Sequence, residues 1–220
     1  MDEPFSLRQS RPMPVRKGEK TRELILNDAV ALASQVGLEG LSIGSLAART
    51  SMSKSGLFAH FGSKEELQLA TLQRAVELFE QHVVRPALAA PRGLPRLRAL
   101  LLNWLDRAND SDAGIPGGGL LISAASEYDD RPGTIRDALA SGQRELRGAI
   151  AKAVRLAIEM GHLDAYVDPW QFTFEFYGIV LAAYHERRLL RDHRARERAL
   201  RAFERLVAQS FEAVPVSANG

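Results

Sequence analysis

From Thr21 to Phe211 the apolar residues of this chain recur three and four positions apart, and no segment alternates with a period of two. Helices that bury a stripe produce the first pattern, and strands that bury a face would produce the second. The chain is therefore expected to be all-α, with about nine helices. Its 220 residues suit one large domain or two small ones and can enclose a sizeable core.

Boundary residues divide this pattern into elements. Thr21 is an N-cap for a helix with Ile25, Ala29, Leu32, Ala33 and Val36 inward, stopped at Gly37. Ser42 caps a shorter helix with Ile43, Leu46 and Ala47 inward, and Ser53 caps a third, KSGLFAHF. Ser63-Lys64-Glu65-Glu66 reads as a capping box, in which Ser63 accepts from the N–H of Glu66 while Glu66 reaches back. The helix it opens should run to about Arg85-Pro86. The stretch ALAAPRGLPR breaks the pattern. Beyond it, Leu97 to Asn109 carries Leu97, Leu101, Trp104 and Leu105 on one stripe. Further helices are expected over Leu120–Tyr128 and Thr134–Met160. Another is expected after Asp168-Pro169, and a last one to about Phe211. Residues 1–19, with three prolines and Arg8, Arg11, Arg16 and Lys17, read as a flexible basic arm.

Composition narrows the function. The formal net charge is +2, so nucleic-acid binding must rest on where charge sits. There is no Cys, hence no disulfide or thiolate metal site. No apolar run approaches a membrane span and the N-terminus lacks a signal-peptide core, so a cytoplasmic protein is expected. The five His, at 60, 82, 162, 185 and 193, show no H-E-x-x-H spacing, and no G-x-S-x-G is present. Gly117-Gly118-Gly119 follows no strand and lacks the Lys-Ser/Thr ending of a phosphate loop. Neither an enzyme, a metal nor a cofactor is expected.

Residues 42–61 form two short helices around a turn at Ser51-Met52, a helix-turn-helix. Its second helix is the type that enters a DNA major groove with its N-terminal residues at base edges. Leu57 and Phe61, four apart, face inward, which leaves Lys54, Ser55 and Phe58 outward. Gly56 weakens the helix but lets its backbone approach DNA. Lys54 stands at the positive end of the helix dipole, where an opposing phosphate or guanine gives a cation a reason to be.

The stretches TRELILNDAVALASQVGLEG, LSIGSLAARTSMS and SKSGLFAHFGSKEEL together resemble the TetR-like transcriptional regulators over roughly residues 20–80. PGGGLLISAASEYDDRPGTIRDAL looks like a segment of one subset of that family, in which Cys is expected where this chain has Gly119. The resemblance implies a three-helix DNA-binding head over 20–66, joined by a linking helix to a ligand-binding and dimerisation body over 67–213. Residues 214–220 would be a disordered tail.

By position, the resemblance implies that Ser42 and Ser45 contact phosphate or a base edge and that Lys54, Ser55 and Gly56 face the groove. Phe58, at a position often Tyr, would make an apolar contact. His60 would reach a phosphate, and Lys64 would clamp one with the helix N-terminus. It also implies a repressor that binds a palindromic operator as a homodimer through its last two helices and is released by a small-molecule effector. The alternative is a constitutive or activating DNA-binding factor without a ligand. Candidate effector-pocket residues are Trp104, Glu127, Tyr128, Phe172 and Phe176. Glu127, if buried and unpaired, would call for a cationic or hydrogen-bonding ligand. The run HERRLLRDHRARERALRAFER interleaves Glu186, Asp192, Glu197 and Glu204 with its arginines, so intrahelical pairs on a solvated face are expected rather than DNA contacts.

Overall fold

The computed structural model of the chain describes residues 17–109 and 118–211, with side chains over 21–106 and 119–211. The basic arm up to residue 16, the Gly-rich loop over 110–117 and the tail over 214–220 lie outside the described residues. All regular structure among the described residues is helical. The helices are α1 (Lys17–Val36), α2 (Ile43–Thr50), α3 (Lys54–Phe61), α4 (Lys64–Phe79), α5 (Leu94–Asn109), α6 (Gly118–Glu127), α7 (Thr134–Glu159), α8 (Pro169–Arg188) and α9 (Ala195–Gln209). After α4 the chain stays helical through a π-helical turn, Glu80–Val84, and a short α-helical segment, Arg85–Leu88. The single long helix expected up to Arg85-Pro86 is thus interrupted at Glu80, where a widened turn adds an extra residue to the ladder.

Contacts divide the chain into two units. The head unit comprises the described residues within Ser6–His82 and Asp110–Gln143, and the body unit those within Val83–Asn109 and Arg144–Gly220. This differs from a sequence boundary at 66/67. All of α6 and the start of α7 join the helix-turn-helix, because Leu120, Ala124, Tyr128, Ile135 and Leu139 complete its core.

In the head unit that core is built from Ile25, Ala29, Val30, Ala33, Leu46, Leu57, Phe61, Leu67 and Leu72. The predicted stripe of α1 is slightly rotated. Ile25, Ala29 and Ala33 are buried as expected, Leu26 and Val30 join them, and Val36 is 50% exposed at the helix end. α4 is tied to α1 by Arg74, which donates to Asn27 Oδ1 and Glu23 Oε1, each at 2.8 Å. In the body unit α5 packs on α8, and α8 on α9. Asp168 caps α8 by accepting from the N–H of Trp170 at 2.7 Å, with Pro169 in the first turn.

Candidate nucleic-acid interface

Three capped starts position this face. Ser42 Oγ accepts from the N–H of Ser45 at 3.1 Å, and Ser45 Oγ accepts from the N–H of Ser42 at 2.9 Å, a reciprocal box. Ser53 Oγ accepts from the N–H of Gly56 at 3.1 Å and starts α3. Ser63 Oγ accepts from the N–H of Glu66 at 3.1 Å and starts α4. The reciprocal arm expected from Glu66 does not form: the N–H of Ser63 donates to Phe61 O at 2.7 Å, and the Glu66 carboxylate stands against Gly62, whose φ of +70° turns the chain from α3 into α4.

Leu57 is fully buried and Phe61 is 3% exposed, so α3 is held by the two residues expected to hold it. Lys54, Ser55, Phe58 and His60 are exposed, and Phe58 shows 58% of its surface. Lys54 lies along the start of α2, its Cε 3.7 Å from where a Cβ on Gly44 would stand. Gly56 has a second local reason to be glycine: a Cβ there would come 3.1 Å from Ser53 Oγ, the atom that caps the helix.

The other candidates are engaged. The Ser42 hydroxyl donates to Ser45 Oγ at 3.0 Å, and the Ser45 hydroxyl donates to Ser42 O at 3.0 Å. A phosphate contact from either must take over one of these bonds. Lys64 Nζ donates to Glu39 Oε1 at 2.7 Å, so its charge is shared before any DNA arrives.

Glu39 belongs to a polar network that sequence reasoning missed. The Tyr128 hydroxyl donates to Glu39 Oε2 at 2.8 Å, and buried Gln68 Nε2 donates to Leu38 O at 2.7 Å and to Tyr128 Oη at 3.2 Å. The bonds from Lys64 and Tyr128 hold the Glu39 carboxyl down at about 2. Burial, and then the bond to Glu39, push the Tyr128 hydroxyl well above the usual tyrosine range. Beside this network Glu127 accepts from the backbone N–H of Leu38 at 2.8 Å and of Glu39 at 3.0 Å. One sequence signal was available: Gln68 places a large polar side chain on the inward stripe of α4. The other missed neighbour, Arg22, lies 5.3 Å over the ring of Phe61.

The network makes stability depend on acid. Glu39 contributes most above its unfolded value of 4.5, and that contribution is lost as pH falls through about 2. Glu39→Gln is expected to be less stable than the parent near neutrality and to lose less between those values. The two stability curves should therefore converge at the acid end. Urea titrations from pH 6 downward measure this, and parallel curves would show that the network leaves the carboxyl unperturbed.

The five pocket candidates are divided between the two units. Glu127 and Tyr128 belong to the head unit with their polar atoms occupied as described, so Glu127 is not an unpaired carboxylate. Trp104, Phe172 and Phe176 belong to the body unit and are buried. Trp104 packs on Tyr177 with centroids 6.0 Å apart, and Phe172 and Phe176 meet Phe203 edge-on. The basic run after α8 carries its charge in pairs, but mostly across elements. Arg198 reaches Glu186 and Asp192 at 2.8 Å, Arg196 reaches Asp106, Arg98 reaches Glu204, and Arg201–Glu197 is the intrahelical pair.

A capped helix-turn-helix with an exposed Lys54-Ser55-Phe58 face, in a chain whose regular structure among the described residues is all helical, defines a helix-turn-helix DNA-binding protein. Residues 25–71 match the family described as bacterial regulatory proteins, tetR family, and residues 93–203 match the tetracyclin repressor-like C-terminal domain. The chain belongs to the TetR family of transcriptional regulators. It is 24% identical over 188 residues to the HTH-type transcriptional repressor NemR of Escherichia coli K12, covering 86% of this chain and 94% of that protein. Its fold resembles a TetR transcriptional regulator from Chloroflexus aurantiacus, with a TM-score of 0.77 and 25% identity over 90% of this chain and 98% of the other. It also resembles AibR, whose structure was solved with isovaleryl coenzyme A and operator DNA. There the TM-score is 0.64 at 24% identity, over 87% of this chain and 98% of the other. Regulators of this family bind operator DNA as dimers and respond to small molecules. Among the described residues no helix is long and apolar enough to cross a membrane, and no group of three or more His, Asp or Glu could hold a metal ion.

Proposed function

We propose that this chain is a cytoplasmic, ligand-responsive repressor without catalytic activity, which binds a palindromic operator as a homodimer through α8 and α9. The observation that carries the reading is α3: Leu57 and Phe61 anchor it, while Lys54, Ser55 and Phe58 stay exposed at its N-terminal half. Lys54, Ser55 and Gly56 would face the groove, with the Lys54 ammonium opposite a phosphate, Phe58 would meet an apolar edge such as a thymine methyl, and His60 would reach phosphate. Ser42, Ser45 and Lys64 would contact the backbone after exchanging part of the bonding they have in the free protein. The relative solved with both isovaleryl coenzyme A and operator DNA supports a small-molecule effector. In this chain it would sit in the body, with Trp104, Phe172 and Phe176 among its neighbours. That effector must bind the operator-free state more tightly, since equal affinity shifts nothing.

Footprinting should show two symmetric half-sites about one helical turn apart or somewhat more. In Lys54→Ala the slope of log affinity against log salt should fall by about 0.9 per lost phosphate contact, about 1.8 for two half-sites. Lys64→Ala should change it less, because Glu39 already holds that amine. A single asymmetric footprint, or salt slopes equal to the parent in both variants, would count against the reading.

A further inference from the structure

The face of the α8–α9 hairpin that its own unit leaves bare has a pattern of its own. Exposed positions along α8 step by threes and fours through Gln171, Phe174, Gly178, Ala182 and His185. Phe174 has 73% of its surface open, although aromatic residues of this size are usually covered. The centre of the stripe is Gly178, in the middle of a helix, where glycine is the least favourable residue after proline. Its backbone is not in the left-handed region, and a Cβ built there meets no atom within 4 Å. Nothing inside the protomer calls for glycine at 178, whereas a close approach from outside does. Beside the stripe runs a cleft of about 850 Å³ between α8 and α9, lined in part by Ala182, Ala199 and Ala202.

The order of sizes identifies the occupant. Phe174, Gly178 and Ala182 read large, absent, small at equal steps of four. A two-fold axis through the middle position makes such a stripe complementary to itself. With α8 antiparallel to its copy, Phe174 lies over Ala182 of the second copy, and the two Gly178 backbones cross. We propose that the homodimer axis passes through Gly178, with Phe174 of each copy seated on Ala182 of the other. This rests on the dimer reading given above and adds the register.

The chain has no Cys, so single cysteine variants report one position each. Gly178→Cys should oxidise to a covalent dimer on a non-reducing gel. Two Phe174 positions would lie ~12 Å apart along the helices, at ~1.5 Å per residue, beyond the ~7 Å between Cα atoms that a disulfide spans. Phe174→Cys and Ala182→Cys should therefore stay single alone and link when mixed. Gly178→Leu should keep its helical circular dichroism while its dimer dissociates at least about tenfold more readily in sedimentation. Self-linking of Phe174→Cys or Ala182→Cys as fast as Gly178→Cys, or parental dimerisation of Gly178→Leu, overturns the register. Sedimentation of the unaltered chain separates the two levels. A dimer alongside either result removes the register alone, and a monomer removes the dimer reading with it.

Discussion

Phe61→Ala is expected to destabilise the head unit by about 3–5 kcal/mol, the range for deleting a buried phenyl ring, and to abolish operator binding at the parent's working concentration. Phe61 is 3% exposed, and its ring lies in the cluster that joins α3 to α1, α2, α4 and α6. Arg22 covers the ring at 5.3 Å, so removing it leaves both a cavity and a cation without its aromatic partner. α3 has only eight residues, too few to persist as a helix without tertiary packing. Urea denaturation measures the loss, and footprinting of the same sample measures the binding. A drop below about 1 kcal/mol would mean that Phe61 does not hold the recognition helix.

Glu127→Ala should cost about 2–3 kcal/mol and weaken operator binding in step. Its carboxylate caps two backbone N–H groups at the α1–α2 corner, and a bond to a charged acceptor contributes about 1.5–3 kcal/mol where it is shielded. The Glu39 N–H is exposed, which keeps the total near the lower end. The corner is shaped for this contact. Gly37 has a φ of +82°, and a Cβ there would come 2.9 Å from Glu127 Oε1. Ser42 follows within the same corner, so a loosened corner shifts the start of α2 and the helix-turn-helix with it. If Glu127 instead read the effector directly, Glu127→Ala would leave the urea midpoint in place and alter only the effector response.

Most helices were legible because their signals are local. Ser42, Ser53, Ser63 and Asp168 each cap the helix expected of them, and the spacing of Leu57 and Phe61 placed both in the core. The misses are contacts between residues far apart in the chain. Val36 belongs to the α1 stripe by spacing, yet as the last residue of the helix it is half exposed. Glu127 and Tyr128 were placed in a pocket by residue type. The fold brings them 88 to 89 positions back along the chain, to Leu38 and Glu39. Lys64 carries the expected charge, but its partner Glu39 lies 25 residues upstream, and periodicity does not encode such pairings.

By itself the sequence determined the helical class, the capped helix-turn-helix, which face of α3 is anchored and which is free, and the family. Each of these depends on residue type at spacings of one to four, within reach of a single helical turn. Tertiary structure alone decided that α6 and the start of α7 complete the head's core, and that Lys64 is held by Glu39. It also decided that Glu127 caps a backbone corner. Those outcomes depend on which buried surfaces meet and which polar atoms must then be satisfied, and both are settled only when distant helices pack.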